Sequence, residues 1–162
     1  MNETTTGRNA RALVADLAQP SRRDAAFAEL VRLGPSARDA VHDGLGDGRW
    51  EVRRWCLYWL FQFPRPEDAA RVEPLLRDPR AKVRHAALVV LERTGCADVV
   101  ALLLERALED ESVHVRRSAV THLAWAHAHP DLAGFFADVA ARESDAKLRK
   151  QAAAGLARSR SC

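Results

Sequence analysis

Unmatched cations near the starts of successive helices are the residues of this sequence whose type and spacing suit binding chemistry. Acids six residues upstream offset four of the nine net positive charges at these places, and the remaining surplus grows towards the C-terminal half. Cations aligned along one edge of a protein attract anions, which also bind at helix N-termini. The alternative is an ordinary solvated face. The sequence thus predicts an anion-binding edge at Lys82, Arg117, Lys147 and Lys150.

Aromatic side chains on the outward face of the helix from Trp50 to Phe63 are the second candidate. Contiguous exposed apolar surface is uncommon in a monomer and indicates a contact site. Alternatively, a neighbouring helix covers these rings, and we assign Trp59 to the core. The argument for exposure is stronger for Trp55 and Tyr58 than for Trp125. Together with the outward residues of two later helices, at the equivalent positions of a repeated unit described below, they form a predicted binding surface. Its residues are Arg54, Trp55, Tyr58, Phe61, His85, Thr121 and Trp125.

The histidines of the C-terminal half do not predict a metal site. Among His114, His122, His127 and His129, only His122 and His129 share a helix face, and no cysteine or carboxylate lies at ligand spacing. The sequence also lacks a glycine-rich phosphate loop and a motif that pairs a nucleophile with its base. We therefore expect no metal, no cofactor and no catalytic residue.

A repeated unit positions these residues, and residues 78–95 are its clearest copy. Asp78 can cap a helix, Pro79 suits the first helical position, and Gly95 suits the left-handed residue that ends it. Apolar residues at spacings of three and four form one buried stripe along residues 79–94. Such a unit is too small to bury its stripe alone, so neighbouring copies must stack.

An arginine near the start of the second helix of each pair marks the repeat. Arg23, Arg53, Arg84, Arg116 and Arg149 follow one another at intervals of 30, 31, 32 and 33 residues. A regular period of this size is the signature of a repeat architecture. We predict that charge-assisted hydrogen bonds within or between repeats hold these ladder arginines and stabilise the fold. The acids six residues before the last four arginines are Asp47, Asp78, Asp110 and Glu143.

The segment VEPLLRDPRAKVRHAALVVLERTG resembles a HEAT repeat of the short bacterial type, which includes the bilin-lyase HEAT-like repeats. Pro74 before two leucines, Asp78 in the turn and the pair Val83 and Arg84 carry the likeness, which extends over residues 10–159. The resemblance implies an all-α fold, an α-solenoid (right-handed superhelix) of about five helix pairs whose second helices line a concave face. The predicted repeats are 10–33, 35–63, 66–95, 96–129 and 130–159.

The chain ends and the composition indicate the limits of the domain and its cellular compartment. Residues 1–8 lack periodicity and are predicted to be a disordered tail, residues 9–159 one domain, and residues 160–162 a second tail. With 48% hydrophobic and 29% charged residues, the composition is that of a globular protein. Three widely spaced cysteines, and no signal-like or membrane-spanning apolar run, favour a cytoplasmic protein with reduced thiols. We expect a monomer.

The leading functional prediction is a non-catalytic scaffold that binds a protein segment, of acidic character, on the concave face. One alternative is a DNA-binding protein or an enzyme similar to the alkylpurine DNA glycosylases, which resemble this repeat type and use a basic concave face. That family is longer, and none of its catalytic positions can be matched here. The second alternative is an assistant subunit of the bilin-lyase kind, by fold analogy alone.

Overall fold

The protein is all helical in its computed structural model, which describes residues 3–161 without the side chains of residues 3–6 and 8. No β-strand occurs in this range, which confirms the all-α prediction. The α-helices are α1 Glu3–Asp16, α2 Arg23–Leu33, α3 Arg38–Gly44, α4 Trp50–Gln62, α5 Ala69–Val72, α6 Ala81–Thr94, α7 Val99–Glu109, α8 Val113–Ala126, α9 Ala133–Arg142 and α10 Ala146–Ser159. Short 3-10 helices cover Gly34–Ala37, Pro66–Asp68, Glu73–Arg77 and Pro130–Leu132. None of these helices is long and apolar enough to cross a membrane.

The helices form pairs, and within each of two compact units the second helices of consecutive pairs stack on one another. The chain divides into two compact units, Met1–Cys96 and Ala97–Cys162. In the first unit α2 packs on α4 and α4 packs on α6, while in the second unit α8 packs on α10. Each unit is therefore a stack of helix pairs, the arrangement of an α-solenoid. One continuous domain over residues 9–159 stays a prediction.

Helix α1 begins earlier than the sequence analysis expected. It starts at Glu3, which corrects the predicted tail for residues 3–8. Residues 1, 2 and 162, and the predictions made for them, lie outside the described residues. The apolar residues of α1 pack against α2 and α3, so they anchor a helix that polar residues extend towards its N-terminus. The buried apolar residues of α1 are Ala10 and Val14, and Leu17 is buried just after the end of the helix.

Helix α6 ends as the sequence predicted but starts later. Gly95 closes it with a left-handed backbone, at a φ of 69°. The helix starts at Ala81 with Arg80 as the N-cap residue, two residues after the predicted start. The Asp78 carboxylate accepts a hydrogen bond from the Arg80 backbone N–H at 2.8 Å. Asp78 therefore stabilises the turn before the helix rather than capping the helix itself.

The core of the first unit is built around α4, whose inward side chains are fully buried. The indole of Trp59 donates its Nε1–H to the backbone carbonyl of Leu30 at 2.9 Å. Its ring also packs against Phe63, with ring centres 4.7 Å apart. Burial raises the pKa of the Cys56 thiol on the same helix, so this cysteine is a core residue rather than a nucleophile.

A buried ionic cluster joins α3 to the 3-10 turn before α5, and the sequence analysis did not single it out. Asp68 is fully buried and accepts two hydrogen bonds from Nη1 of Arg38, at 2.7 and 2.6 Å. His42 Nε2 lies 2.8 Å from the same carboxylate, and the Arg65 backbone N–H donates to it at 3.0 Å. Burial raises the pKa of Asp68, but the hydrogen bonds from Arg38 and His42 outweigh burial and leave the pKa below its ordinary value.

Candidate binding site

The ladder arginine of α4 connects two consecutive turns of the first unit. Arg53 donates from Nη1 to the backbone carbonyl of Asp47, six residues earlier, at 2.7 Å. Its Nε and Nη2 donate to the Asp78 carboxylate of the next turn, at 2.6 and 3.0 Å. Arg84 donates to the backbone carbonyl of Asp78 at 2.9 Å. The Asp78 carboxylate therefore binds Arg53 of the preceding copy, whereas the Asp78 backbone carbonyl accepts from Arg84, six residues downstream.

The second unit repeats this arrangement between α8 and α10. Arg116 donates from Nη1 to the Asp110 carbonyl at 3.0 Å, and its Nε and Nη2 point to the Glu143 carboxylate at 3.3 and 3.5 Å. A hydrogen bond from the Asp145 backbone N–H, and then the contact with Arg116, lower the pKa of Glu143 despite its partial burial. Arg149 donates to the Glu143 carbonyl at 2.9 Å.

Arg53→Ala and Asp78→Ala are each expected to lower the free energy of unfolding by about 1.5–3 kcal/mol, since both side chains are charged, hydrogen-bonded and largely buried. Urea denaturation should show that the double variant loses less than the sum, with a coupling energy above about 0.5 kcal/mol. The exposed pair Arg32 and Glu29 is the control and should show weaker coupling. Equal coupling in the two cycles would show that the ladder pair contributes no more than an ordinary surface ion pair.

An apolar pocket opens on the surface shared by α2, α4 and α6. Its volume is about 290 Å³. The lining is mostly apolar, with Tyr58, Gln62 and His85 as its polar members, so the pocket offers contact surface for an apolar group. The lining residues are Phe27 of α2, Tyr58, Phe61 and Gln62 of α4, and His85, Ala86, Val89 and Val90 of α6.

Trp55 contacts two walls of the pocket without lining it. Its ring packs edge-on against Phe27 and Tyr58, with ring centres 4.8 and 5.3 Å apart. Trp55 and Tyr58 are half-buried, whereas Trp125 is 63% exposed. The structure thus reverses the predicted order of exposure. The physical reason is that Phe27 of the neighbouring helix covers part of Trp55.

Cations lie over the aromatic rings of α4. The pairs are Arg54 on Tyr58, Arg93 on Phe61 and Lys82 on Trp50, at 4.9, 4.8 and 5.3 Å from the ring centre. Such a contact contributes about 0.5–1 kcal/mol at an exposed site, and it holds the cation without neutralising it. Because Tyr58 and Phe61 are pocket walls, two of these cations lie at the edge of the pocket. We call the pocket lining together with Arg54, Lys82 and Arg93 the binding face.

The other predicted binding residues lie in the second unit. Nη2 of Arg117 donates to both oxygens of Asp145, at 3.1 and 3.0 Å, which corrects the prediction that Arg117 is an unmatched cation. The Thr121 hydroxyl donates to the backbone carbonyl of Arg117 at 2.8 Å. The ring of Trp125 lies under the guanidinium of Arg158, 3.5 Å from the ring centre. The predicted cations that are exposed in this unit are Lys147 and Lys150.

Phe27 is a pocket residue that the sequence analysis did not select. It stands four residues after Arg23, at a position of the repeat that is buried in the second, third and fourth copies. A signal was nevertheless present, because the other copies carry an aliphatic residue there. Those residues are Leu57, Leu88, Val120 and Ala153. An aromatic residue in an aliphatic column indicates a ring that extends beyond the stripe.

Stacked helix pairs, a regular arginine ladder and an apolar contact surface define a helical-repeat protein with a surface suited to binding. A family model for HEAT repeats matches residues 69–157, more than half of the chain, and the protein belongs to this family. A search of curated proteins found no match. HEAT repeats commonly mediate interactions between proteins, and that role agrees with the chemistry of the pocket.

Proposed function

We propose that this protein is a non-catalytic scaffold that binds a protein segment of acidic character on its binding face. The observation that carries the proposal is an apolar pocket of about 290 Å³ with a guanidinium stacked on each of two walls. An acidic segment with one large apolar residue matches both features. The apolar residue fills the pocket, and the neighbouring carboxylates meet the cations.

The size of the pocket favours an anchoring side chain over a cofactor. Sites for small organic ligands usually start at about 300 Å³, so this pocket is at their lower limit. Burying one leucine, phenylalanine or methionine side chain contributes about 1.5–3 kcal/mol. A few anchors of this kind supply most of the affinity at protein interfaces. The packing of Trp55 against Phe27 and Tyr58 also holds two walls in place, which lowers the entropic cost of binding.

The charges of the binding face favour an acidic partner. Arg54, Lys82 and Arg93 each stack on a ring, so their charges remain available to a ligand. Cations at the edge of an interface steer and orient a partner of opposite charge, and they contribute less to affinity than the buried anchor. We therefore assign affinity mainly to the pocket and the preference for acidic segments to the cations.

Selection from a displayed random peptide library tests this function with the purified full-length protein. We expect the selected peptides to combine one large apolar residue with nearby aspartate or glutamate. Val89→Trp fills the pocket without changing the charge, and it should abolish this selection. Thr121→Trp is the matched control, because Val89 and Thr121 each stand five residues after a ladder arginine. The control variant should select the same peptides as the wild type.

The other outcomes of this selection are equally informative. Peptides that survive Val89→Trp and are lost with Thr121→Trp would contradict the assignment to the first unit. A failure to select any peptide would overturn the proposal, and DNA binding would then be measured over a range of salt concentrations. A slope of log affinity against log salt steeper than about −3 would favour a nucleic-acid partner. No observation within residues 3–161 favours the glycosylase-like or bilin-lyase-like alternatives over this proposal.

A further inference from the structure

Arg54 and Arg117 occupy the same place in the repeat, one residue after a ladder arginine, but only one of them has an acidic partner. In the second unit, Nη2 of Arg117 donates to both oxygens of Asp145, at 3.1 and 3.0 Å. In the first unit, none of the carboxylates that the structure describes lies as close as 4.0 Å to the Arg54 guanidinium. The Nε atoms of both arginines are buried without a hydrogen-bond partner, so the difference lies at the outer nitrogens.

The register of the repeat explains this difference. Asp78 and Glu143 each stand six residues before a ladder arginine, and each binds the ladder arginine of the preceding copy. The helices α4 and α6 therefore meet in the same register as α8 and α10. Two residues after these acids, the second unit has Asp145 and the first unit has Arg80. The position that would supply a carboxylate to Arg54 thus holds a second, exposed cation.

We propose that Arg54 and Arg80 form an oxyanion receptor, which takes a carboxylate or phosphoryl group of the bound segment where the second unit uses its own Asp145. The inference rests on the proposed function and adds the residue that determines its specificity. Arg54 lies over Tyr58, a wall of the pocket, so the oxyanion is bound next to the apolar anchor. A guanidinium can donate two hydrogen bonds to one carboxylate or phosphoryl group.

The half-burial of Arg54 adds a second reason. A guanidinium that has lost part of its hydration without gaining an acidic partner destabilises the free protein. An anionic ligand removes this penalty and gains the attraction between the charges. Stacking on Tyr58 fixes the orientation of the guanidinium before binding, so little additional ordering is needed. A purely structural role for Arg54, which only packs on Tyr58, is the competing explanation.

Supplying the missing carboxylate within the chain tests the geometry. Arg80→Asp gives Arg54 an internal partner, and Arg80→Asn supplies a comparable N-cap for α6 without the charge. We expect the Tm of Arg80→Asp to exceed that of Arg80→Asn by about 1–4 °C. The difference should disappear when Arg54→Gln is also present. An equal difference in the presence of Arg54→Gln would show that position 80 does not reach Arg54.

Acetate and inorganic phosphate are the probes for the receptor itself, with the Arg54 Nε–H resonance followed by NMR. We expect a saturable shift in the wild type, its loss in Arg80→Asp, and its retention in Arg77→Asp, an exposed control with the same change in charge. Tighter binding of phosphate would assign the receptor to a phosphorylated segment, and tighter or equal binding of acetate to aspartate or glutamate. The absence of a saturable shift, or an unchanged shift in Arg80→Asp, would overturn the inference.

The peptide selection separates this inference from the proposed function. Arg54→Gln should reduce the preference for acidic over neutral peptides about tenfold, while peptides with an apolar anchor are still selected. If the acidic preference persists and Val89→Trp abolishes selection, the proposed function stands and the receptor is refuted. If no peptide is selected but Arg54 binds the small anions, the receptor stands as an anion site and the proposed function is refuted.

Discussion

Asp68→Ala is expected to lower the free energy of unfolding by about 3–5 kcal/mol, because it leaves a buried arginine without its counter-charge. Arg38 is only 8% exposed and Asp68 is fully buried. Without the carboxylate, Arg38 keeps its hydrogen bond to the Phe63 carbonyl at 2.6 Å, which does not neutralise its charge. His42 loses the same carboxylate. Urea denaturation at pH 7, followed by circular dichroism, measures the effect.

Two variants control for this experiment. Asp68→Asn keeps the shape of the side chain and removes its charge, so it should also destabilise the protein, but less than alanine. Asp43→Ala breaks an exposed ion pair with Arg11, whose side chains are 62% and 68% exposed, and should cost less than about 1 kcal/mol. If Asp68→Ala has no larger effect than Asp43→Ala, the cluster does not stabilise the fold.

The effect of Asp68→Asn should depend on pH in a defined direction. Because the pKa of Asp68 is lowered in the folded protein, its ionised form stabilises the fold at every pH above the unfolded value of about 3.9. That contribution is lost as the pH falls from the unfolded value through the lower folded value. The difference in stability between the wild type and Asp68→Asn should therefore shrink as the pH falls below about 4. A difference that grows below that pH would contradict this assignment.

Trp59→Ala is the second substitution with a large expected effect, a loss of about 3–5 kcal/mol. Its ring is fully buried on α4 and packs on Phe63, and its Nε1–H satisfies the Leu30 carbonyl. Removing it leaves a cavity and a buried carbonyl without its partner. Trp55→Ala on the same helix should cost only about 1–2 kcal/mol, since this ring is half-buried and makes two edge-on aromatic contacts.

Thermal and urea denaturation of these tryptophan variants show whether a loss of peptide binding comes from the pocket or from unfolding. Trp59→Phe keeps most of the volume and loses the hydrogen bond, so it separates the two parts of the Trp59 effect. A loss of binding in Trp55→Ala with a modest loss of stability would indicate displaced pocket walls, because Trp55 supports Phe27 and Tyr58. If Trp55→Ala unfolds the protein as readily as Trp59→Ala, Trp55 belongs to the core.

The helix pairs could be predicted because their signals are local. The ladder arginines recur every 30 to 33 residues, and Gly95 ends α6 as its type indicates. The start of α6 was less predictable, since Asp78 can serve either as a helix cap or as a turn residue. Its carboxylate is drawn into the turn because it also binds Arg53, which lies 25 residues away.

The candidate site could be predicted only in part, since exposure depends on what the neighbouring helix contributes. The aromatic residues of α4 were recognisable from their face of the helix. The partial burial of Trp55 was not recognisable from the sequence, because it depends on Phe27, which contacts Trp55 from α2. Trp125 has the same kind of position on α8 and remains 63% exposed.

The sequence by itself determined the stacked helix pairs, because the period, the apolar stripes and the helix-ending residues act within a single copy of the repeat. Only the tertiary structure decided which acid each arginine meets. Such a contact joins residues more than 20 positions apart, and it depends on the packing of two copies. Arg117 is paired with Asp145, but the equivalent Arg54 is next in register to Arg80. One change of charge sign at equivalent positions therefore distinguishes a stabilising ion pair from the proposed binding residue.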